Sequence, residues 1–180
     1  MAHFEETLSS QNIFDGKVIN VCYDEVLLEN GEKAKREVVY HNGGVCILPL
    51  CDNGDVLFVK QYRYAYREEV LELPAGKLNK GEEPFESAKR ELLEETGAVA
   101  KKYTELGKLY PSPGYCNEII TMYLAEDLEF FSQNLDEDEF LDVIRIPLET
   151  AVKMVLKNEI VDSKTQTALL KAYLIKNASF

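Results

Sequence analysis

The most constraining stretch of this chain is residues 84–97, which predict one amphipathic helix with both ends marked. Pro84 suits the first helical turn, because its missing N–H costs no hydrogen bond there. Gly97 suits the left-handed residue that commonly ends a helix. Three apolar side chains share one face at helical spacing: Phe85, Ala88 and Leu92. That stripe predicts that the helix packs against a sheet.

Three glutamates, Glu91, Glu94 and Glu95, share the opposite face of the predicted helix. Such crowding costs roughly a few tenths of a kcal/mol per pair of like charges, and a bound cation would reverse the sign. Carboxylate oxygens suit hard ions, so Mg²⁺ is favoured and Mn²⁺ is acceptable, whereas zinc would require His or Cys. Arg90 can reach Glu86 or Glu94 one turn away and orient a ligating carboxylate. The alternative is an acidic helix face in contact with solvent.

The remainder of the chain predicts a mixed β-sheet with helices packed on its faces. Residues 30–31 and 52–55 contain the Asn and Gly that favour tight turns between strands. The apolar stretches that predict strands are residues 17–28, 35–41, 45–50, 56–62, 69–73, 106–110, 119–124 and 142–146. Two further helices are predicted at residues 148–158 and 163–176, the second with Ser163 as its N-cap. This order indicates an α/β fold without a regular βαβ repeat.

The charge of the chain bears on its partners. Its 180 residues suit one domain, and the formal net charge is -12. Proteins that bind nucleic acid use Lys and Arg to displace counterions from phosphates, so this acidic chain is not expected to bind nucleic acid. If the substrate carries phosphates, a bound cation or a few well-placed arginines must offset the repulsion.

The lack of a visible targeting segment and the cysteine usage predict a cytoplasmic protein that does not enter a membrane. The first residues lack the basic and apolar segments of a signal peptide, and the apolar run at residues 45–50 is too short to cross a bilayer. The four cysteines form no C-x-x-C pair and are too few for a disulfide scaffold of this length. They are therefore expected to be thiols in a reducing cytosol.

Residues 76–98 resemble the Nudix box at every fixed position. Gly76 is followed after five residues by Glu82 and after seven more by Arg-Glu-Leu-x-Glu-Glu-x-Gly and the small apolar Ala98. Even when Leu92 is counted only as an apolar position, seven fixed identities at fixed spacing arise by chance on the order of once in 10⁸ windows, which argues against a mere solvated helix face. Further segments resemble the ADP-ribose pyrophosphatase branch of this family: residues 43–45, 61–64, 71–76, 113–118, 136–139 and 162–165. A neighbouring branch that hydrolyses GDP-mannose shares several of these features.

The resemblance implies a Nudix fold, which is a mixed sheet sandwiched between helices, with the box forming a loop, a helix and a loop. Residues 43–180 would form the Nudix hydrolase domain. Residues 1–42 would form an N-terminal β segment that, in relatives, helps to build a dimer and contributes to the partner's substrate site. A homodimer is therefore expected.

The resemblance also assigns the metal site and the base. Glu91 and Glu95 would be the main Mg²⁺ ligands, the Ala75 carbonyl would be a further one, and Glu94 would be a ligand or a support. Gly76 would let the backbone bend so that this carbonyl faces the metal. The base that activates water would be an acid of the loop at residues 136–139, matching Glu139, with Glu137 as the alternative. This loop could instead be a solvated acidic turn.

The substrate contacts follow from the same resemblance. Arg63 and Arg36 resemble the arginines that contact phosphate, although both could be surface cations on strand edges. Glu118 resembles a residue that hydrogen-bonds the terminal ribose. Glu72 lies on a strand and would face either the site or solvent.

The implied reaction is Mg²⁺-dependent hydrolysis of ADP-ribose to AMP and ribose 5-phosphate, with a small-molecule nucleotide sugar as the only partner besides a second subunit. The lack of a Ser or Cys nucleophile with a partner base agrees with direct attack by water. Three alternatives remain: another nucleotide sugar such as GDP-mannose, another nucleotide such as a dinucleoside polyphosphate or an oxidised nucleoside triphosphate, and a module that binds ADP-ribose without cutting it.

Overall fold

The computed structural model describes residues 3–135 and 139–177. The chain divides into two compact units. The first unit contains the residues up to Gly43 together with Tyr110–Ile119, and the second contains Gly44–Leu109 and the residues from Ile120 onward.

The first unit is built on a three-stranded antiparallel sheet in the order β1-β2-β3. Its strands are β1 (Glu6–Asp15), β2 (Ile19–Leu27) and β3 (Lys33–His41). The backbone of Val39 on β3 also binds the segment 110–119, donating to the Tyr115 carbonyl at 2.7 Å and accepting from the Asn117 N–H at 3.0 Å.

The second unit contains two sheets and three helices. One sheet has the order β7-β4-β9-β8 and the other has the order β10-β5-β6. Strands β4 and β9 are parallel, and the other neighbours are antiparallel. The elements are β4 (Gly44–Pro49), β5 (Asp55–Arg63), β6 (Glu68–Glu72), β7 (Ala75–Lys77), α1 (Pro84–Thr96), β8 (Ala98–Leu109), β9 (Ile120–Phe130), β10 (Leu141–Pro147), α2 (Leu148–Leu156) and α3 (Ser163–Asn177).

Strand β4 lies at the centre of the core and is buried along its whole length. Cys46 and Leu48 join a cluster that includes residues of α2 and α3. Val45 and Ile47 point the other way and join a cluster with Ala88 and Leu92 of α1. Because both faces of this strand are covered by helices, its sequence is continuously apolar rather than alternating. The prediction of a mixed sheet between helices is thus confirmed.

Helix α1 has the ends that its sequence predicts. Pro84 occupies the first turn, and Gly97 ends the helix at φ 68° with its N–H donating to the Leu93 carbonyl. Phe85 stays partly exposed at the edge of the apolar stripe, where its ring lies 5.2 Å from that of Tyr103, edge to face. The helix therefore packs on the sheet through the centre of the stripe and leaves its acidic face toward β7.

Local predictions differ from the structure at several places, and strand β7 was not predicted as a strand. Strand β1 was not predicted, because its residues are all exposed and carry no apolar alternation. Strand β8 begins at Ala98, directly after Gly97, so the predicted strand at 106–110 is only its end. The N-cap of α3 is Asp162 rather than Ser163, since the Asp162 carboxylate accepts the Thr165 N–H at 2.9 Å.

No helix within residues 3–135 and 139–177 combines the length and the apolar composition that crossing a membrane requires.

Candidate active site

The site is built where the short strand β7 meets the acidic face of α1. The Ala75 N–H donates to the Glu95 carboxylate at 3.0 Å. A Cβ placed on Gly76 would lie 1.9 Å from the carboxyl carbon of Glu91, and no real Cβ comes that close to another atom. The glycine therefore lets the helix carboxylate lie directly against the backbone of β7.

Glu91 and Glu95 are buried carboxylates, with 8% and 2% of their surface exposed. Burial raises the pKa of Glu95 to about 8, although the hydrogen bond from Ala75 favours its charged form. Burial also raises the pKa of Glu91, against the stabilising charge of Arg90. Two neighbouring buried carboxylates without matching positive charge are the environment that a cation would stabilise.

Arg90 links these carboxylates to the loop before the helix. Its Nη1 donates to Glu91 at 2.7 Å and to Glu94 at 2.9 Å, and its Nε donates to Glu82 at 3.0 Å. The contact with Glu94 agrees with the helical spacing, whereas Glu86 pairs with Lys89 instead. Arg90 thus holds the Glu91 carboxylate, which lies against β7, together with those of Glu82 and Glu94.

The residues present fit a hard divalent cation. The side chains that meet here are carboxylates, which is the chemistry that Mg²⁺ and Mn²⁺ prefer. Within residues 3–135 and 139–177, no three Asp, Glu, His or Cys side chains converge as a full ligand cage. Mg²⁺ commonly takes one or two carboxylates and completes its shell with water and substrate phosphates, so the pair Glu91 and Glu95 suffices as an anchor.

Glu139 lies close enough to this pair for its charge to raise the pKa of both Glu91 and Glu95. It is partly buried and lines an open cavity of about 400 Å³ together with residues of β5 and β10. Glu137, the alternative base, lies outside the described residues.

Arg63 and Glu72 form a second charged cluster. Arg63 donates to the two carboxylate oxygens of Glu72, from Nε at 2.6 Å and from Nη2 at 2.7 Å. Lys164, with 12% of its side chain exposed, donates to the same carboxylate and, at 2.9 Å, to Asp162. Glu95 and Arg63 affect each other's pKa, so the two clusters are within electrostatic reach.

Sequence reasoning missed the contribution of Lys164, although its segment was among those resembling the family. A usable signal was present, because a cation in the first turn of a helix opposes the helix dipole. Its presence there indicates a local carboxylate partner. Burial opposes the charge of Lys164, but Asp162 and Glu72 outweigh it and raise the pKa of the ammonium.

Arg36 and Glu118 lie in the first unit. The Arg36 guanidinium binds both oxygens of Glu5, with Nε at 2.9 Å. The Glu118 carboxylate lies 3.5 Å from Nδ1 of His41. Their roles toward substrate stay predictions.

Residues 40–168 match the family model of the NUDIX domain. The chain belongs to the Nudix family. It is 46% identical to the ADP-ribose pyrophosphatase of Bacillus subtilis (strain 168), over 92% of this chain and 90% of the relative. The methanol dehydrogenase activator of Bacillus methanolicus is 40% identical over the same shares. The ADP-ribose pyrophosphatase of Mycobacterium tuberculosis (strain ATCC 25618 / H37Rv) is 35% identical, over 96% of this chain and 85% of the relative.

A solved structure supports the fold of this Nudix protein. The crystal structure of an ADP compounds hydrolase superposes with a TM-score of 0.85, covering 98% of this chain and 97% of the other, at 24% sequence identity. The predicted Nudix fold is therefore confirmed.

We expect Gly76→Ala to weaken Mn²⁺ binding by at least about tenfold, because the added methyl would displace the Glu91 carboxylate. Titration of the protein with Mn²⁺, followed by electron paramagnetic resonance, measures the affinity. Gly114→Ala is the matched control, since a Cβ there meets no atom within 4 Å. Equal affinity of the two variants would show that Glu91 does not hold the cation.

Proposed function

We propose that this Nudix protein hydrolyses the pyrophosphate bond of ADP-ribose, giving AMP and ribose 5-phosphate. The observation that carries the proposal is the buried pair Glu91 and Glu95 against the backbone of β7. The substrate is supported by the identity to the Bacillus subtilis ADP-ribose pyrophosphatase over nearly the whole chain.

In this proposal Glu91 and Glu95 hold Mg²⁺, or Mn²⁺ in its place, with the Ala75 carbonyl as a further ligand. Glu94 is a ligand or supports the other two, as its contact with Arg90 suggests. When bound, the cation neutralises diphosphate oxygens and lowers the pKa of a coordinated water. Buried oxygen donors with too little positive charge around them support this assignment.

Glu139 is the proposed general base, which accepts the proton of the attacking water. Its electrostatic influence on Glu91 and Glu95 supports a position near the reacting phosphorus. Glu137 remains the alternative on the same loop.

Arg63 is proposed to contact a substrate phosphate and to stabilise the charge that builds up in the transition state. Its Nε and Nη2 are held by Glu72, and Nη1 takes no part in those two bonds. Because Arg63 and Lys164 occupy the oxygens of Glu72, this glutamate acts by holding Arg63. Glu118 is proposed to bind the terminal ribose.

A homodimer completes the proposal, with the first unit as its interface and Arg36 reaching the partner's site. Exposed apolar side chains in this unit support the idea: Phe4, Leu8, Ile13, Phe14 and Val18.

Light scattering should therefore give twice the chain mass of 20.5 kDa. Mixing inactive Arg36→Ala protomers with inactive Glu95→Gln protomers should restore activity, because one site of each mixed dimer would have both residues. A mass of one chain would refute the dimer. A dimer without restored activity would place Arg36 in its own subunit's site or outside catalysis.

We expect Glu95→Gln to lower kcat by at least about two orders of magnitude, because the amide cannot supply the negative charge that binds the cation. Steady-state release of AMP measures the loss, and circular dichroism checks the fold. Glu86→Gln is the control, since Glu86 is exposed on the same helix and pairs with Lys89. Retained activity in Glu95→Gln would overturn the metal assignment.

The substrate is tested by AMP release from ADP-ribose with Mg²⁺, beside GDP-mannose and a nucleoside triphosphate. Turnover of ADP-ribose that is faster than the others and abolished by EDTA is expected. Preference for GDP-mannose would keep the metal site and change the substrate. Binding of ADP-ribose without turnover of any compound would make the protein a sensor.

A further inference from the structure

The first turn of α3 is attached to the end of β6 by hydrogen bonds that do not involve Lys164. The Asp162 carboxylate caps the helix through the Thr165 N–H at 2.9 Å. The Thr165 hydroxyl in turn accepts the Leu73 N–H at 2.8 Å. The helix is therefore capped and docked without any need for a cation at its second position.

Lys164 nevertheless occupies that position and is nearly buried, with 12% of its side chain exposed. A buried ammonium is costly unless it is paired, and a helix N-terminus adds further repulsion. Its partners are the Asp162 carboxylate and the Glu72 oxygen that also accepts from Nη2 of Arg63. The lysine and Arg63 thus bind the same Glu72 carboxylate and share one of its oxygens.

The three side chains differ in exposure. Only 3% of the Glu72 side chain and 12% of the Lys164 side chain are exposed, whereas 40% of the Arg63 side chain is exposed. Both Glu72 oxygens are used, so the carboxylate cannot rotate without breaking a bond to one of the two cations. A carboxylate fixed in this way fixes the plane of the guanidinium that binds it through two parallel bonds.

Lys164 also changes the charge balance around Arg63. Glu72 and Asp162 carry two negative charges, and Lys164 and Arg63 carry two positive ones. Without the lysine, Arg63 would be the only cation facing two carboxylates, and its field toward an incoming phosphate would be weakened. With the lysine in place, the negative charge of Glu72 is already neutralised by Lys164.

We propose that Lys164 is a positioning residue that acts through Glu72 to hold the Arg63 guanidinium oriented toward the substrate phosphates. This inference rests on the proposed function in one respect, namely that Arg63 meets a phosphate.

The test is a double-mutant cycle between Lys164→Met and Arg63→Ala, read by kcat/KM for ADP-ribose. Lys164→Met alone should lower kcat/KM by about ten- to a hundredfold, as a supporting residue typically does. In the Arg63→Ala background the same change should cost less than about twofold, because its target is gone. Lys171→Met, on the exposed face of the same helix, is the matched control.

A merely structural role predicts a different result. Losses that multiply in the double variant would refute the inference, because Lys164 would then act independently of Arg63. Mn²⁺ affinity should be unchanged in Lys164→Met, and a weaker affinity would also refute it. If Lys164→Met folds poorly, Lys164→Gln keeps a hydrogen-bond donor without the charge, and the same cycle applies.

Turnover of ADP-ribose by the wild-type protein distinguishes a failure of the proposed function from a failure of this inference. If the wild-type protein does not turn over ADP-ribose, the function is wrong, and the cycle is repeated on the Kd of ADP-ribose by calorimetry in EDTA. Weaker binding in Lys164→Met that disappears in the Arg63→Ala background would still support the positioning role. Equal weakening in both backgrounds would overturn it.

Discussion

The rest of the site depends on the close approach of strand β7 to helix α1. Only a residue without a side chain allows the Glu91 carboxylate to touch the strand backbone, and Gly76 fills that place. The neighbouring Ala75 N–H then fixes Glu95 at 3.0 Å. One contact between backbone and helix thus brings two carboxylates and a carbonyl-bearing strand together, which is the arrangement that an oxygen-liganded cation requires.

This approach has an energetic cost that connects metal binding to pH. Burial raises the pKa of Glu95 to about 8, so the metal-free fold keeps a proton there at neutral pH. The unfolded chain releases that proton at an ordinary carboxyl pKa, so the metal-free fold loses stability as the pH rises toward 8. In the proposed function, a cation that displaced this proton would remove the penalty, and binding would be coupled to proton release.

The sequence predicted α1 well because its spacing, Pro84 and Gly97 all agree, and β4 because a strand covered on both faces is apolar throughout. It missed β1, whose exposed residues carry no periodicity. The Nudix box identified the acidic pair Glu91 and Glu95. The contact of Lys164 with Glu72 was missed, because these two residues lie 92 positions apart in sequence. Local patterns encode elements and caps, but a pairing between distant buried charges depends on the tertiary fold.

The two charged clusters differ in net charge, and this difference suits them to different roles. Glu82, Glu91 and Glu94 pair with one cation, Arg90, beside the buried Glu95, so this cluster carries excess negative charge and favours a metal ion. The cluster of Arg63, Glu72, Lys164 and Asp162 has two charges of each sign. It has no need of a further ion, and its outermost member is a guanidinium. In the proposed function, this acidic chain would meet its anionic substrate at one place, where a bound cation and the guanidinium of Arg63 act side by side.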